Sequence, residues 1–204
     1  MSIELIIFDQ DGTLYPRSHK LYQETRRITK QWILSNSDIN LNNIDLIYDL
    51  LSTNYPNPYL GFMSLGLSVE SYMENVFDKI HPKDILEYNP ILYEYFRNNK
   101  KKKVLVTFSS PNYTNELQNT LGIKKYFNEI LYVKDTTSYS KKECYISIAN
   151  KFNVKNENIM VLGDNFENDI KPAIEIGCKT VLISEDGDAK NIEEFILKNM
   201  EDYY

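Results

Sequence analysis

Short apolar runs that stop abruptly at polar residues recur along this chain. Residues 3–8 read Ile-Glu-Leu-Ile-Ile-Phe and end at Asp9. Residues 104–106 read Val-Leu-Val and end at Thr107, and residues 159–162 read Ile-Met-Val-Leu and end at Gly163-Asp164. Residues 130–133 and 180–183 are two further runs, the second following Gly177. Runs this short, bounded by polar residues and glycine, predict buried parallel strands. Between them the apolar spacing lengthens. Residues 113–121 predict a helix halted by Gly122, and residues 169–176 a helix halted by Gly177. Residues 142–152 predict a helix with Tyr145, Ile148, Ala149 and Phe152 on one face. Alternating strands and helices from about residue 104 onward predict an α/β fold with a parallel sheet.

The stretch 16–99 has a different character. Leu21, Thr25, Ile28 and Trp32 form a stripe at helical spacing, and a Pro/Asn/Gly-rich interruption covers residues 54–66. A helical block between the first two strands predicts an inserted cap. The chain then divides into a core of residues 1–15 and 100–204 and a cap of residues 16–99. Lys100, Lys101, Lys102 and Lys103 predict a solvated turn before the second strand rather than a nucleic-acid patch. His19 and His81 are isolated and carry no assigned role.

Composition narrows the class. A hydrophobic fraction of 42%, a charged fraction of 25% and a net charge of −6 suit a soluble globular protein. That charge argues against a nucleic-acid polymer as partner but leaves small phosphate substrates open, since local amides and a metal can bind them. Cys144 and Cys178 form neither a disulfide framework nor a Cys-x-x-Cys metal site. The opening run reads as a strand rather than a leader, and no apolar stretch approaches the ~20 residues that span a bilayer. The expectation is a reduced cytoplasmic protein, off the membrane, as a monomer or homodimer.

In an open α/β sheet, ligands bind beyond the carboxyl ends of the strands. There the predicted strands deliver Asp9 and Asp11, then Thr107, then Asp164. Two carboxylates that close repel unless a proton or cation holds them, and magnesium takes oxygen ligands of this kind. Gly12 permits a sharp turn whose N–H groups can hold phosphate oxygens. Asp-x-Asp alone would also suit a polar turn.

The full run Phe8-Asp9-Gln10-Asp11-Gly12-Thr13-Leu14-Tyr15 resembles the first signature of the haloacid dehalogenase superfamily. Gly163-Asp164-Asn165-Phe166-Glu167-Asn168-Asp169 resembles its fourth. Thr107 resembles the second, although Phe108 stands where asparagine often follows, and Ser109 could serve as the phosphate contact. Lys141, preferred over Lys142, resembles the third, without the usual following proline. The resemblance implies a Rossmann-like three-layer core with a helical cap, and Mg2+ as cofactor. It implies Asp9 as nucleophile and Asp11 as general acid and base. Thr107, Ser109 and Lys141 would contact the substrate phosphate. Asp9, Asp11 and Asp164 would ligate the metal, and Asp169 would orient the metal shell or Lys141.

The substrate expected is a small phosphomonoester; the Asp11-Gly12-Thr13-Leu14-Tyr15 start, the Leu60-Gly61 turn and residues 82–89 are similar to the pyrimidine 5'-nucleotidase branch, which implies a nucleoside 5'-monophosphate. Tyr15, Tyr59, Phe62 or Tyr88 could stack on a base, with packing the favoured role for each. Alternatives are a phosphoglycolate or sugar-phosphate phosphatase, a phosphomutase, or a catalytically silent binding protein on the same fold.

Overall fold

The computed structural model describes residues 2–55 and 57–183. Five parallel strands, β1 (Leu5–Phe8), β2 (Lys102–Thr107), β3 (Glu129–Tyr132), β4 (Ile159–Gly163) and β5 (Lys179–Leu182), form one sheet in the order β3-β2-β1-β4-β5. β1 is buried on both faces, because Leu5, Ile6, Ile7 and Phe8 are all apolar and helices cover the sheet. Its register sets Phe8 beside Leu105 of β2 and Leu162 of β4. The chain ends that follow, at Asp9, Thr107 and Gly163, therefore emerge along one edge. Strand order reverses between β1 and β4, which places the switch-point crevice beside Asp9 and Asp164.

Between β1 and β2 lie α1 (Lys20–Asn36), α2 (Ile44–Asn54), α3 (Pro58–Ser64), α4 (Val69–Asn75) and α5 (Pro90–Asn98). These helices fall within the stretch 16–99 that the sequence predicts to be largely helical. Trp32 of α1 packs edge-on against Phe62 of α3 and tilted against Tyr72 of α4, with centroids 5.3 Å apart in each pair. α5 belongs to the sheet side, since Phe96 stacks on Phe8 at 5.1 Å. Hydrogen bonds are among the contacts that tie this stretch to the core. The Tyr59 hydroxyl donates to the Phe108 carbonyl, and the Ser110 hydroxyl donates to Asp78 at 2.6 Å.

The remaining helices are α6 (Pro111–Thr120), α7 (Lys141–Phe152) and α8 (Lys171–Glu175). Ser110 and Ser140 cap α6 and α7 through their side-chain oxygens. The segment expected as one helix over 169–176 is instead a wide π turn, Phe166–Ile170, running into α8. The expected solvated turn at the lysine run also differs. Lys103 lies inside β2 and is buried, its ammonium donating to the carbonyls of Asn99 and Lys101. The C-terminal part of the expected core, residues 184–204, lies outside the described residues. No helix among the described residues is long and apolar enough to cross a membrane.

Candidate active site

The loop after β1 builds the floor of the site. Leu14 and Thr13 donate their N–H groups back to the Gln10 carbonyl at 2.9 and 3.2 Å, closing a tight turn around Gly12. Gly12 has φ +91°, a region open to glycine at little cost. A Cβ there would also lie 1.9 Å from Asp164 Oδ2, so glycine lets the two strand ends converge. The same turn brings the Thr13 hydroxyl to Asp9 Oδ2 at 2.8 Å.

Lys141, the first residue of α7, is buried and bridges two carboxylates. Its Nζ lies 2.6 Å from Asp9 Oδ1 and 2.6 Å from Asp169 Oδ1. Burial alone would lower its pKa, but Asp169 and Asp9 together hold it well above the ordinary lysine value. Lys142 faces outward to Glu175 at 2.8 Å. Of the two candidate lysines, Lys141 is thus the one beside Asp9. Asp169 also accepts the Asn165 N–H at 2.9 Å, a bond that fixes the loop after β4. Burial, opposed in part by Lys141, raises Asp169 to about 6.

Asp164 stands opposite Asp9. Burial, with the charges of Asp9 and Asp169, raises its carboxyl well above the usual range, and Arg17 opposes that rise. Arg17 Nε lies 2.5 Å from Asp164 Oδ2, and its Nη2 donates to the Asp164 carbonyl at 3.1 Å. Arg17 escapes sequence reasoning because its partner is far away along the chain.

Asp11 departs from one expectation. Its carboxylate turns to a set of donors: Tyr15 at 2.5 Å and Tyr113 at 3.2 Å on Oδ1, Ser109 at 2.5 Å and Gln10 at 3.2 Å on Oδ2. Among the described residues, the carboxylates able to close on one ion are Asp9, Asp164 and Asp169, with ligand atoms within 4.8 Å of one another. This side-chain grouping shares Asp9 and Asp164 with the expected ligand set of Asp9, Asp11 and Asp164, and adds Asp169. Burial raises the Asp11 carboxyl, against the lowering effect of the Ser109 and Tyr15 hydrogen bonds.

Ser109 and Thr107 also separate. Ser109 lines the cleft above Asp9, whereas the buried Thr107 uses its Oγ1 to accept the Ser109 N–H at 3.0 Å. Tyr15, Tyr59 and Phe62 are buried, and Tyr88 packs on Tyr93 with centroids 5.6 Å apart.

The donor set fits a divalent cation. Three buried carboxylates supply hard oxygen ligands of the kind magnesium takes. Burial first, and then a mutual repulsion that Lys141 and Arg17 offset only in part, makes Asp164 and Asp169 hold protons more readily than usual. The cleft above them has a volume of about 200 Å3. Its upper wall, from α1 and α2, includes Tyr22, Arg26 and Tyr48.

Comparisons with known proteins agree with this geometry. A family model described as haloacid dehalogenase-like hydrolase matches residues 3–177. No curated protein matches the chain. Among solved structures, a haloacid dehalogenase-like family hydrolase from Streptococcus pneumoniae aligns with TM-score 0.64 at 14% identity, covering 89% of this chain and 85% of that one. A HAD phosphatase from Thermococcus onnurineus aligns with TM-score 0.55 at 20% identity over 92% and 88% of the two chains. A haloacid dehalogenase-like family hydrolase from Xanthomonas campestris aligns with TM-score 0.53 at 18% identity over 89% and 81%. At such identities these structures share the fold.

Proposed function

The chain belongs to the haloacid dehalogenase-like hydrolase family, and from that premise we propose that it is a magnesium-dependent phosphohydrolase acting on a small phosphomonoester through an aspartyl-phosphate on Asp9. The observation that carries this reading is the state of Asp9. Thr13 and Lys141 hold its two oxygens at the floor of the cleft, with Asp11 two residues on along the same loop.

In the first transfer an Asp9 oxygen attacks phosphorus in line, and the bond from phosphorus to the leaving oxygen breaks. Asp11 gives its proton to that oxygen. Its burial supports this role, since a raised carboxyl pKa keeps more of the protonated form. In the second transfer Asp11, now a carboxylate, takes a proton from water as the water oxygen attacks phosphorus. Inorganic phosphate leaves, and the Asp9 carboxylate is restored. Lys141 orients Asp9 and offsets charge near the phosphoryl oxygens. Ser109 is placed to hold one of those oxygens, and Thr107 fixes the Ser109 backbone.

Asp9, Asp164 and Asp169 are the side chains that would hold magnesium, with Asp169 also positioning Lys141. When bound, the ion neutralises charge on the phosphoryl group. In this proposal the helices α1 to α4 form the cap, with α5 packed on the sheet, and closure of that cap excludes water from the cleft.

The test is phosphate release from a panel of phosphomonoesters with magnesium, with chelator, and for Asp9→Asn. Release lost under both perturbations supports the mechanism. Inactivity toward every ester, or an Asp9→Asn variant as active as the parent, overturns it.

A further inference from the structure

We propose that Arg26 of α1 and Arg17 of the turn leading into α1 form an anion subsite along one side of the cleft, which selects phosphomonoesters whose leaving group carries a second anionic group. The inference rests on the phosphohydrolase reading above, and concerns which ester that site accepts.

Arg26 lies on the face of α1 that lines the cleft, in helical register with Tyr22 and Thr25. Its guanidinium covers the Tyr48 ring at 4.8 Å from the centroid and pairs with Asp49 at 2.7 Å. Asp49 is 62% exposed. An ion pair with so solvated a partner is weak, so an anion entering the cleft can compete for Arg26. Arg17 lies nearer the reacting groups, bound to Asp164 and with Tyr22 beside it at 6.0 Å. The two guanidiniums thus line one wall of a cleft whose floor holds Asp9, Asp11 and Lys141. Guanidinium groups suit planar, bidentate recognition of carboxylate or phosphate.

The same wall argues against stacking of a flat, uncharged leaving group. Arg26 and Lys30 both lie against the Tyr48 ring, and Arg17 lies against Tyr22. Phe62 and Tyr72 pack on each other, with centroids 4.6 Å apart. A cleft of about 200 Å3 also falls below the usual range for larger ligands. A compact leaving group with a charged end fits these facts better than a nucleoside.

Binding of unreactive phosphonates separates this inference from turnover. With saturating magnesium, calorimetry compares phosphonoacetate with ethylphosphonate, which lacks the carboxylate. Methylenediphosphonate tests a second phosphate. The parent is expected to bind at least one of the doubly anionic compounds about tenfold or more tighter than ethylphosphonate. Arg26→Gln, a substitution at a half-exposed position, is expected to cut that preference below about threefold, with Arg26→Lys intermediate. Arg17→Gln is expected to reduce it as well. Metal chelation by the ligands is common to all the proteins and cancels in the comparison. A parent with no preference overturns the inference, as does an Arg26→Gln variant that keeps it. Turnover of para-nitrophenyl phosphate judges the phosphohydrolase reading on its own, so the two can fail separately.

Discussion

Gly12 and Asp164 approach so closely that a single methyl group cannot fit between them: a Cβ on Gly12 would sit 1.9 Å from Asp164 Oδ2. The turn after β1 and the loop after β4 are thereby interlocked. Gly12→Ala should strain the backbone at φ +91° and push Asp164 away from Asp9. A backbone cost of about 1–2 kcal/mol is expected, with a larger loss in phosphate release than the stability loss explains. Denaturant unfolding and turnover on the same sample check this.

Lys141→Met should leave Asp9 and Asp169 as buried carboxylates without their shared cation. Breaking such a pair costs about 3–5 kcal/mol, and turnover should disappear. Lys142→Met removes only an exposed contact to Glu175 and should stay within about 0.5 kcal/mol of the parent. Paired urea titrations give the contrast, and equal losses in the two variants would contradict the assignment.

The strand ends were legible because each apolar run stops at a residue of a different kind. The apolar pattern alone therefore places Asp9, Thr107 and Asp164 on one edge. The preference for Lys141 over Lys142 came from the family resemblance, because the two differ only by rotation about the start of α7. Asp11 was expected at the metal from its closeness to Asp9 and from the first signature, whereas its hydrogen bond with Tyr113, on α6, leaves no local mark. The contacts of Arg17 and Arg26 likewise depend on how α1 and α2 lie over the sheet. Lys103 was misread because a charge run does not mark where a strand begins, and β2 takes Lys103 into the buried run that continues to Thr107.

Lys103 yields a pH prediction. Burial, helped by the nearby charges of Lys100 and Lys101, lowers its pKa to about 8. The unfolded chain holds that proton more tightly than the folded one, so stability rises with pH between about 8 and the ordinary lysine range. The stability of the parent minus that of Lys103→Met should increase across this window by about 1–2 kcal/mol, allowing for solvent screening. Chemical denaturation of both proteins on either side of the window measures it. A flat difference would contradict the burial argument.

Tyr15→Phe removes the 2.5 Å hydrogen bond to Asp11 Oδ1. With a donor lost, the charged form of Asp11 is less favoured. The acid limb of the kcat profile, where Asp11 must be ionised to activate water, should move to higher pH. KM should change little, since the hydroxyl orients Asp11 rather than substrate. A profile identical to the parent's would show that Tyr15 does not set the state of Asp11.

The most direct test of the aspartyl-phosphate claim uses Asp11→Asn with para-nitrophenyl phosphate in magnesium. This leaving group departs without an acid, so Asp9 can still be phosphorylated, while the water-activating base is missing. Rapid mixing should give a burst of nitrophenolate of about one equivalent per site, followed by slow turnover. Mass spectrometry of the quenched protein should find the phosphoryl group on Asp9, and Asp9→Asn in the same background should abolish the burst. Turnover without protein-bound phosphoryl, or phosphorylation of another residue, would contradict the account.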